Sequence, residues 1–211
     1  MAKGDKKRSE ARLKKRNRFF RRTGGKGKPF DRILIICEGE KTEPIYFRKF
    51  KVTSAHVEVV GTGSDTLELV QEALRLKEKA KRNGSAYDQV WCVFDRDSFP
   101  AHKVDNAWQK ARNNNIRTAF SNEAFELWYI LHFDWIETAI SRTEYQRLLT
   151  KRLGYEYHKN DPGLYKELLA KQEIAIHNAQ VLLSKYSKRH PSSDNPSTEV
   201  HELVQELNKQ R

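Results

Sequence analysis

The chain has 211 residues, a formal net charge of +12 at pH 7 and a mean hydropathy of −0.84. No apolar run approaches the roughly 18 residues that cross a bilayer, and the basic N-terminus lacks the apolar core of a secretory signal. These features argue against a membrane-spanning protein, and we expect a cytoplasmic protein with one well-buried domain and a small extension.

Positive charge is concentrated at the N-terminus. Residues 1–30 hold 13 Lys or Arg against 2 acidic residues, a net charge of +11, whereas the remaining residues carry +1. Such a segment is typical of proteins that contact the phosphates of nucleic acid, although a solvated tail that aids solubility is the alternative. We predict a disordered basic arm over residues 1–30, with nucleic-acid contacts from Arg12, Lys14, Lys15, Arg16, Arg18, Arg21 and Arg22.

Strands and helices alternate through the first half of the remaining chain. Apolar runs predict strands over residues 32–37, 57–60, 88–94 and 116–120. Helices are predicted from residue 42, over 66–82, and over about 104–113. This alternation indicates an α/β, Rossmann-like fold, in which a four-stranded parallel sheet is flanked by helices on both faces.

The second half of the chain has only helical patterns. A helix over 123–133 is apolar nearly all round, which predicts that it is buried, with His132 as a core histidine. Asn122, just before it, is predicted to cap this helix, and contact with the substrate is the alternative. Further helices are predicted near 142–153, 162–170, 172–187 and 198–208. We therefore divide the chain into the arm at 1–30, an α/β core at 31–135 and a helical extension at 136–211 that packs on the core.

Carboxylates follow two of the predicted strands. Glu38 ends the first strand, and Asp95 and Asp97 end the third. If these strands are neighbours, three acids meet at the carboxyl edge of the sheet, where ligands bind in open α/β folds. Carboxylates this close repel one another unless a cation neutralises them, and oxygen ligands suit Mg²⁺ or Mn²⁺. The alternative is that these acids are only turn formers.

The motifs around these acids resemble the Toprim fold of topoisomerases, primases and related nucleases. Four blocks carry a closer resemblance: Ile-Cys-Glu-Gly-Glu-Lys-Thr-Glu-Pro at 36–44, Val-Trp-Cys-Val-Phe-Asp-Arg-Asp at 90–97, Ser-Asn-Glu-Ala-Phe-Glu-Leu-Trp at 121–128 and Asn-Pro-Ser-Thr at 195–198. Together they resemble the RloB family, which is similar to the AbiLii phage abortive-infection proteins. The resemblance covers residues 30–208.

This resemblance implies a Mg²⁺-dependent nuclease of bacterial anti-phage defence that works beside an ATPase partner. Asp95 and Asp97 would bind the metal, and Glu38 would be a further ligand or a general acid/base. Many Toprim sites carry a third acid where this chain has Phe99, so a second metal would need other acids. The candidates are Glu40, Glu43, Glu123 and Glu126.

Glu126 lies in a helix that is too apolar for an uncompensated charge, so it is predicted either to bind metal or to pair with Arg96 or Lys41. Arg96 and Lys41 are also predicted to contact nucleic acid. The substrate is expected to be RNA, with transfer RNA as one candidate, or DNA.

Two other functions fit the sequence. One is a non-catalytic subunit that binds nucleic acid or regulates a defence complex. The other is a phosphatase of the haloacid dehalogenase type, which Phe-Asp-Arg-Asp also resembles, but that family places the motif on its first strand. The chain has no Gly-Lys-Ser/Thr motif and is not expected to be an ATPase itself.

Overall fold

The computed structural model describes residues 30–97 and 99–211 of the chain. Its centre is a five-stranded sheet with the strand order β2-β1-β3-β4-β5. Strands β1 (Asp31–Cys37), β2 (Ala55–Gly61), β3 (Gln89–Asp95) and β4 (Arg117–Asn122) are parallel, as the alternation of strands and helices predicted.

The predicted count of four strands was wrong, because β5 (Ser197–Thr198) adds a fifth strand that runs antiparallel to β4. It is only two residues long and polar, so it gives no apolar pattern that would reveal a strand. The Ser121 and Thr198 hydroxyl groups, 3.0 Å apart in the buried interior, hold it to the sheet.

The helices lie close to their predicted positions. They are α1 (Thr42–Phe47), α2 (Thr66–Arg82), α3 (Ala101–Asn113), α4 (Glu126–Ile130), α5 (Arg142–Leu153), α6 (Leu164–Leu169), α7 (Gln172–Ser184) and α8 (Val200–Asn208). The buried helix predicted over 123–133 is only five residues long. Within the described residues, no helix is long and apolar enough to cross a membrane.

Strands β1 and β3 are neighbours at the centre of the sheet, with Cys37 opposite Val93 in the parallel register. Both strands are apolar and without alternation because both faces of the sheet are covered. The side chains of residues 33–37 are fully buried. This direct pairing aligns the carboxyl ends of β1 and β3, where the predicted acidic residues lie.

Two hydrophobic clusters cover the two faces of the sheet. Leu34 and Ile36 of β1 face helices α2 and α3. Ile33 and Ile35, on the opposite face, share one continuous cluster with residues of α1, α4, α5, α7 and α8. The helical extension therefore belongs to the same core as the first strand, while a domain boundary at residue 135 stays a prediction.

Candidate functional site

Glu38 and Asp95 lie side by side at the carboxyl ends of β1 and β3. The backbone N–H of Asp95 donates to Glu38 Oε2 at 3.3 Å, and the Thr66 hydroxyl donates to Glu38 Oε1 at 2.8 Å. Thr66 is the first residue of α2. The Glu38 carboxylate is thus held by one neighbouring strand and by the start of a helix. The predicted convergence of Glu38 with the end of β3 is confirmed.

Arg142 connects Asp95, the last residue of β3, with Asp97. Its guanidinium Nη2 lies 3.4 Å from Asp95 Oδ2 and its Nη1 lies 3.2 Å from Asp97 Oδ1. Asp97 has a backbone φ of 41°, in the left-handed region that few residues other than glycine adopt. Sequence reasoning missed Arg142, because nothing in the pattern distinguishes it from the many other basic residues of the chain.

Glu43 and Glu126 complete the acidic cluster, and both are buried. Glu43 lies in the first turn of α1, and Gly39 permits its position, because a Cβ atom at residue 39 would overlap the Glu43 carboxylate. Sequence reasoning named Glu43 only as one of four ligands for a second metal. Its burial could not be predicted, since it depends on the close approach of α1 to the turn after β1.

Glu126 does not pair with Arg96 or Lys41, so that expectation was wrong. Its Oε1 accepts from Gln146 and from the Tyr157 hydroxyl, each at 3.4 Å, and lies 3.9 Å from Lys159 Nζ. These three partners belong to α5 and to the segment that follows it. The extension therefore supplies the groups that stabilise a carboxylate of the core.

Burial and mutual repulsion raise the pKa values of the acids in this cluster. Burial raises the pKa of Asp95 well above its ordinary value, and the charges of Glu43 and Glu126 raise it further. Burial and the charge of Glu126 raise the pKa of Glu43. Burial also raises the pKa of Glu38 to about 7, although its hydrogen bond from Thr66 works in the opposite direction. Burial and mutual repulsion thus disfavour the ionised forms of these acids.

The cluster lines an open cavity of about 580 Å³. Six carboxylates and three cationic side chains contribute to its wall. The acids are Glu38, Glu40, Glu43, Asp95, Asp97 and Glu126, and the cations are Lys41, Arg142 and Lys159. A charged ligand that enters this cavity therefore meets excess negative charge at the carboxyl edge of the sheet.

The chemistry of these residues fits a hard divalent cation. All the acids offer oxygen ligands, and the buried Oδ1 of Asp95 has no hydrogen-bond partner among the described residues. The described part of the chain nevertheless contains no group of three or more acidic, His or Cys side chains already arranged to hold a metal ion. Arg142 instead provides the positive charge beside Asp95 and Asp97, and Mg²⁺ or Mn²⁺ binding stays a prediction.

Several other predicted residues have structural contacts. Arg96 turns away from the acids, and its guanidinium donates to the carbonyl oxygens of Phe99 and Ser192. Lys41 lines the cavity. The seven arm residues from Arg12 to Arg22 lie outside the described part of the chain. No contact described here tests whether Arg96, Lys41 or the arm binds nucleic acid.

Asn122 does not cap α4, so that prediction was wrong. Its side-chain amide donates to the carbonyl oxygens of Pro191, at 3.0 Å, and Ser192, at 3.3 Å. The prediction for His132 is confirmed, since its ring is buried and its Nδ1 lies 2.9 Å from the Trp128 carbonyl oxygen. Burial lowers the pKa of His132 to about 4, so the ring is neutral at neutral pH.

The fold and the cavity together define an α/β protein with an acidic site at the carboxyl edge of its central parallel strands. A family model described as RloB-like protein matches residues 33–207, which include most of β1, strands β2 to β5 and all the acids of the cavity. The chain therefore belongs to the RloB-like family. No match to the chain was found among curated proteins or among solved structures.

Proposed function

We propose that this RloB-like protein is a Mg²⁺- or Mn²⁺-dependent nuclease that cleaves phosphodiester bonds in RNA, with transfer RNA as one candidate, or in DNA. The observation that carries the proposal is the environment of Asp95. Its Oδ1 is buried and without a partner among the described residues, and other carboxylates surround it in a cavity open to solvent. A buried acid in such surroundings is typical of a functional site.

The roles of the acids follow from their positions. Asp95 and Asp97 would bind the metal, and Glu38 and Glu126 lie close enough to the same cavity to contribute further oxygen ligands. A divalent cation held there polarises a phosphoryl oxygen and lowers the pKa of a bound water.

Glu38 is suited to proton transfer. In the metal-free protein its pKa is raised to about 7, so both its protonated and its ionised forms are populated near neutral pH before a cation binds. The hydrogen bonds from Thr66 and from the Asp95 backbone fix the orientation of its carboxylate. Glu38 can therefore accept a proton from the attacking group or return one to the leaving group.

The biological setting of this activity is a separate part of the proposal. The RloB family match supports a role in bacterial anti-phage defence of the abortive-infection type, together with an ATPase partner that activates cleavage. The net charge of +11 over residues 1–30 supports nucleic acid as the substrate, since such a segment binds phosphates without sequence preference.

The direct test is cleavage of labelled transfer RNA, plasmid DNA and single-stranded DNA by the purified full chain. Parallel reactions contain Mg²⁺, Mn²⁺ or EDTA, and the Asp95→Asn variant is assayed beside the parent. We expect metal-dependent cleavage by the parent and at least a hundredfold lower rate for Asp95→Asn. Equal cleavage by both proteins, or cleavage that survives EDTA, would contradict the proposal.

One observation favours a second candidate, a non-catalytic subunit that binds nucleic acid or regulates a defence complex. Arg142 lies within ion-pair distance of both Asp95 and Asp97, so the protein compensates part of their charge without a metal. For such a subunit, no substrate would be cleaved even after the ATPase partner is added, and Asp95→Asn would change nucleic-acid or partner binding instead.

A further inference from the structure

Two of the three cations that line the cavity come from the helical extension and not from the α/β core. Arg142 is the first residue of α5, and Lys159 lies between α5 and α6. Neither residue carries a signal in the sequence. Both nevertheless reach the acids at the carboxyl edge of the sheet, where Arg142 contacts Asp95 and Asp97 and Lys159 lies 3.9 Å from Glu126.

The charge of the cavity explains why these cations matter for a nucleic acid. Six carboxylates line the wall, and a phosphodiester carries a further negative charge. The backbone of a nucleic acid would be repelled from this wall unless positive groups contacted it directly. Among the described residues, the cationic side chains that line the cavity and can make such contacts are Lys41, Arg142 and Lys159.

The geometry of Arg142 suits a phosphate. Its side chain is 27% exposed, and its two terminal nitrogens already lie against oxygen atoms of two separate carboxylates. A planar guanidinium presents the same pair of donors to two oxygens of a phosphate. Once a cation neutralises Asp95 and Asp97, the same two nitrogens would be available to phosphate oxygens.

Helix α5 holds Arg142 in place. Ser141 caps the helix by accepting a hydrogen bond from the backbone N–H of Glu144 at 3.2 Å, and Tyr145 and Leu149 are fully buried in the hydrophobic cluster that includes α4. Lys159 is less constrained, with 45% of its side chain exposed and its ammonium group at the outer limit of an ion pair. An ammonium with three donors can contact a phosphate while it remains near Glu126.

We infer that Arg142 and Lys159 form a phosphate-binding subsite for the backbone of a nucleic acid, so that the helical extension completes the site built on the sheet. This inference rests on the proposed function for the choice of ligand. It names the residues that would contact the nucleic-acid backbone beside the acids. It also assigns a binding role to the helical extension.

The experiment measures binding of a fluorescent single-stranded oligonucleotide, as RNA and as DNA, to the full chain in Ca²⁺ and over a range of salt concentrations. The variants are Arg142→Gln, Arg142→Lys and Lys159→Gln. Arg147→Gln and Lys166→Gln are matched controls, because they remove the same charge from the exposed side of α5 and from α6. The basic arm is present in every protein, so its contribution is constant.

We expect Arg142→Gln and Lys159→Gln each to weaken binding about fivefold to tenfold and to reduce the salt slope by about 0.7, the loss of one phosphate contact on a single strand. Arg142→Lys keeps the charge and should retain the slope while binding less tightly. Thermal melting of each variant establishes that it is folded, and Lys159→Gln is the more secure test because the Lys159 side chain is more exposed than that of Arg142.

Binding by Arg142→Gln and Lys159→Gln that is equal to that of the two controls would overturn the inference. Cleavage measured on the same proteins separates this outcome from a failure of the proposed function. A parent that cleaves, together with variants that bind like the controls, refutes the subsite alone. A parent that does not cleave even with the ATPase partner present, together with variants that lose binding, refutes the nuclease and supports the subsite.

Discussion

The carboxylate of Glu43 lies against the backbone of Gly39, in the space that a Cβ atom at residue 39 would fill. This contact brings the first turn of α1 against the turn after β1. It places the buried Glu43 carboxylate near Asp95, and the negative charge of Glu43 raises the pKa of Asp95. The glycine that follows Glu38 is therefore required by the acidic cluster itself and not only by the turn.

Replacement of Gly39 by alanine tests this relationship. The added methyl group must displace Glu43, so we expect Gly39→Ala to lower the free energy of unfolding by about 1–3 kcal/mol and to reduce metal-dependent cleavage at least tenfold. Chemical denaturation and the cleavage assay measure the two effects. Gly163→Ala is the control, because its added methyl would lie 3.1 Å from Asp161 Oδ1 and would require only a small shift of a side chain that is not fully buried. Parent-like stability and cleavage in Gly39→Ala would show that Glu43 is not held by this contact.

Asp95→Asn should separate stability from activity. The folded-state pKa of Asp95 is raised, so its ionisation opposes folding above the unfolded-state value and no longer does so at low pH. We expect the neutral side chain to increase the free energy of unfolding at pH 7.5 by about 0.5–2 kcal/mol while cleavage is lost. This increase in unfolding free energy should become smaller as the pH is lowered toward 4. Urea denaturation of the parent and the variant at pH 7.5 and pH 4 measures the increase. A variant less stable than the parent at pH 7.5 would show that the ionised Asp95 side chain does not oppose folding.

Arg142→Gln should strengthen metal binding. The guanidinium lies within ion-pair distance of Asp95 and Asp97, and it therefore competes with a cation for the same carboxylates. We expect the Kd for Mn²⁺ to fall about tenfold, which corresponds to about 1.4 kcal/mol. Calorimetric titration measures the change, with Arg147→Gln as the control of equal charge. The same variant is expected to bind nucleic acid less tightly, so the two ligands should respond in opposite directions.

The stability of the protein should depend on pH through His132. Its folded-state pKa is lowered to about 4, so the unfolded chain takes up a proton first as the pH falls below about 6.5. His132 therefore reduces stability progressively between pH 6.5 and 4, and its effect at pH 5 is about 2 kcal/mol. Glu38 and Glu43 act in the opposite direction over the same range, because their folded-state pKa values are raised.

Comparison with a variant isolates the histidine from the acids. As the pH is lowered from 7.5 to 5, the unfolding free energy of the parent should decrease relative to that of His132→Gln. The exposed His177→Gln variant is the matched control for the loss of a histidine. A difference for His132→Gln that does not change with pH would mean that the His132 ring is accessible to protons in the folded state.

Asn122→Asp distinguishes the observed contact of Asn122 from the predicted helix cap. Aspartate caps helices as well as asparagine does, so a capping role would leave stability unchanged. The observed contact requires the amide to donate to the carbonyl oxygens of Pro191 and Ser192, which a carboxylate cannot do. We expect a loss of about 1–3 kcal/mol in unfolding free energy. Unchanged stability in Asn122→Asp would restore the capping interpretation.

The central part of the fold and of the acidic site could be predicted from sequence because it depends on local patterns. Strands β1 and β3 are unbroken apolar runs, and each leads directly into its acids. In a parallel sheet, their adjacency alone brings Glu38 and Asp95 together. Predictions failed where the structure depends on contacts that are distant in the chain and carried by common polar residues.

Three features show this limit. Strand β5 consists of Ser197 and Thr198, which have no strand pattern and pair with β4 through side-chain hydroxyls as well as backbone. Arg142 follows Asp95 by 47 residues, and only the packing of α5 brings its guanidinium to the acids. Asn122 was assigned to the nearest helix because sequence reasoning could not detect a partner 69 residues away.

Arg96 lies between the two aspartates of the site, yet its guanidinium holds the carbonyl oxygens of Phe99 and Ser192. Its backbone N–H is meanwhile bound to the Ser121 carbonyl oxygen at 2.9 Å. Arg96 thus joins the turn between Asp95 and Asp97 to the segment between α7 and β5, which contains Ser192. A displacement of this segment would therefore be transmitted to the turn between Asp95 and Asp97 through the Arg96 side chain, and to the end of β4 through Asn122, which donates to the same segment.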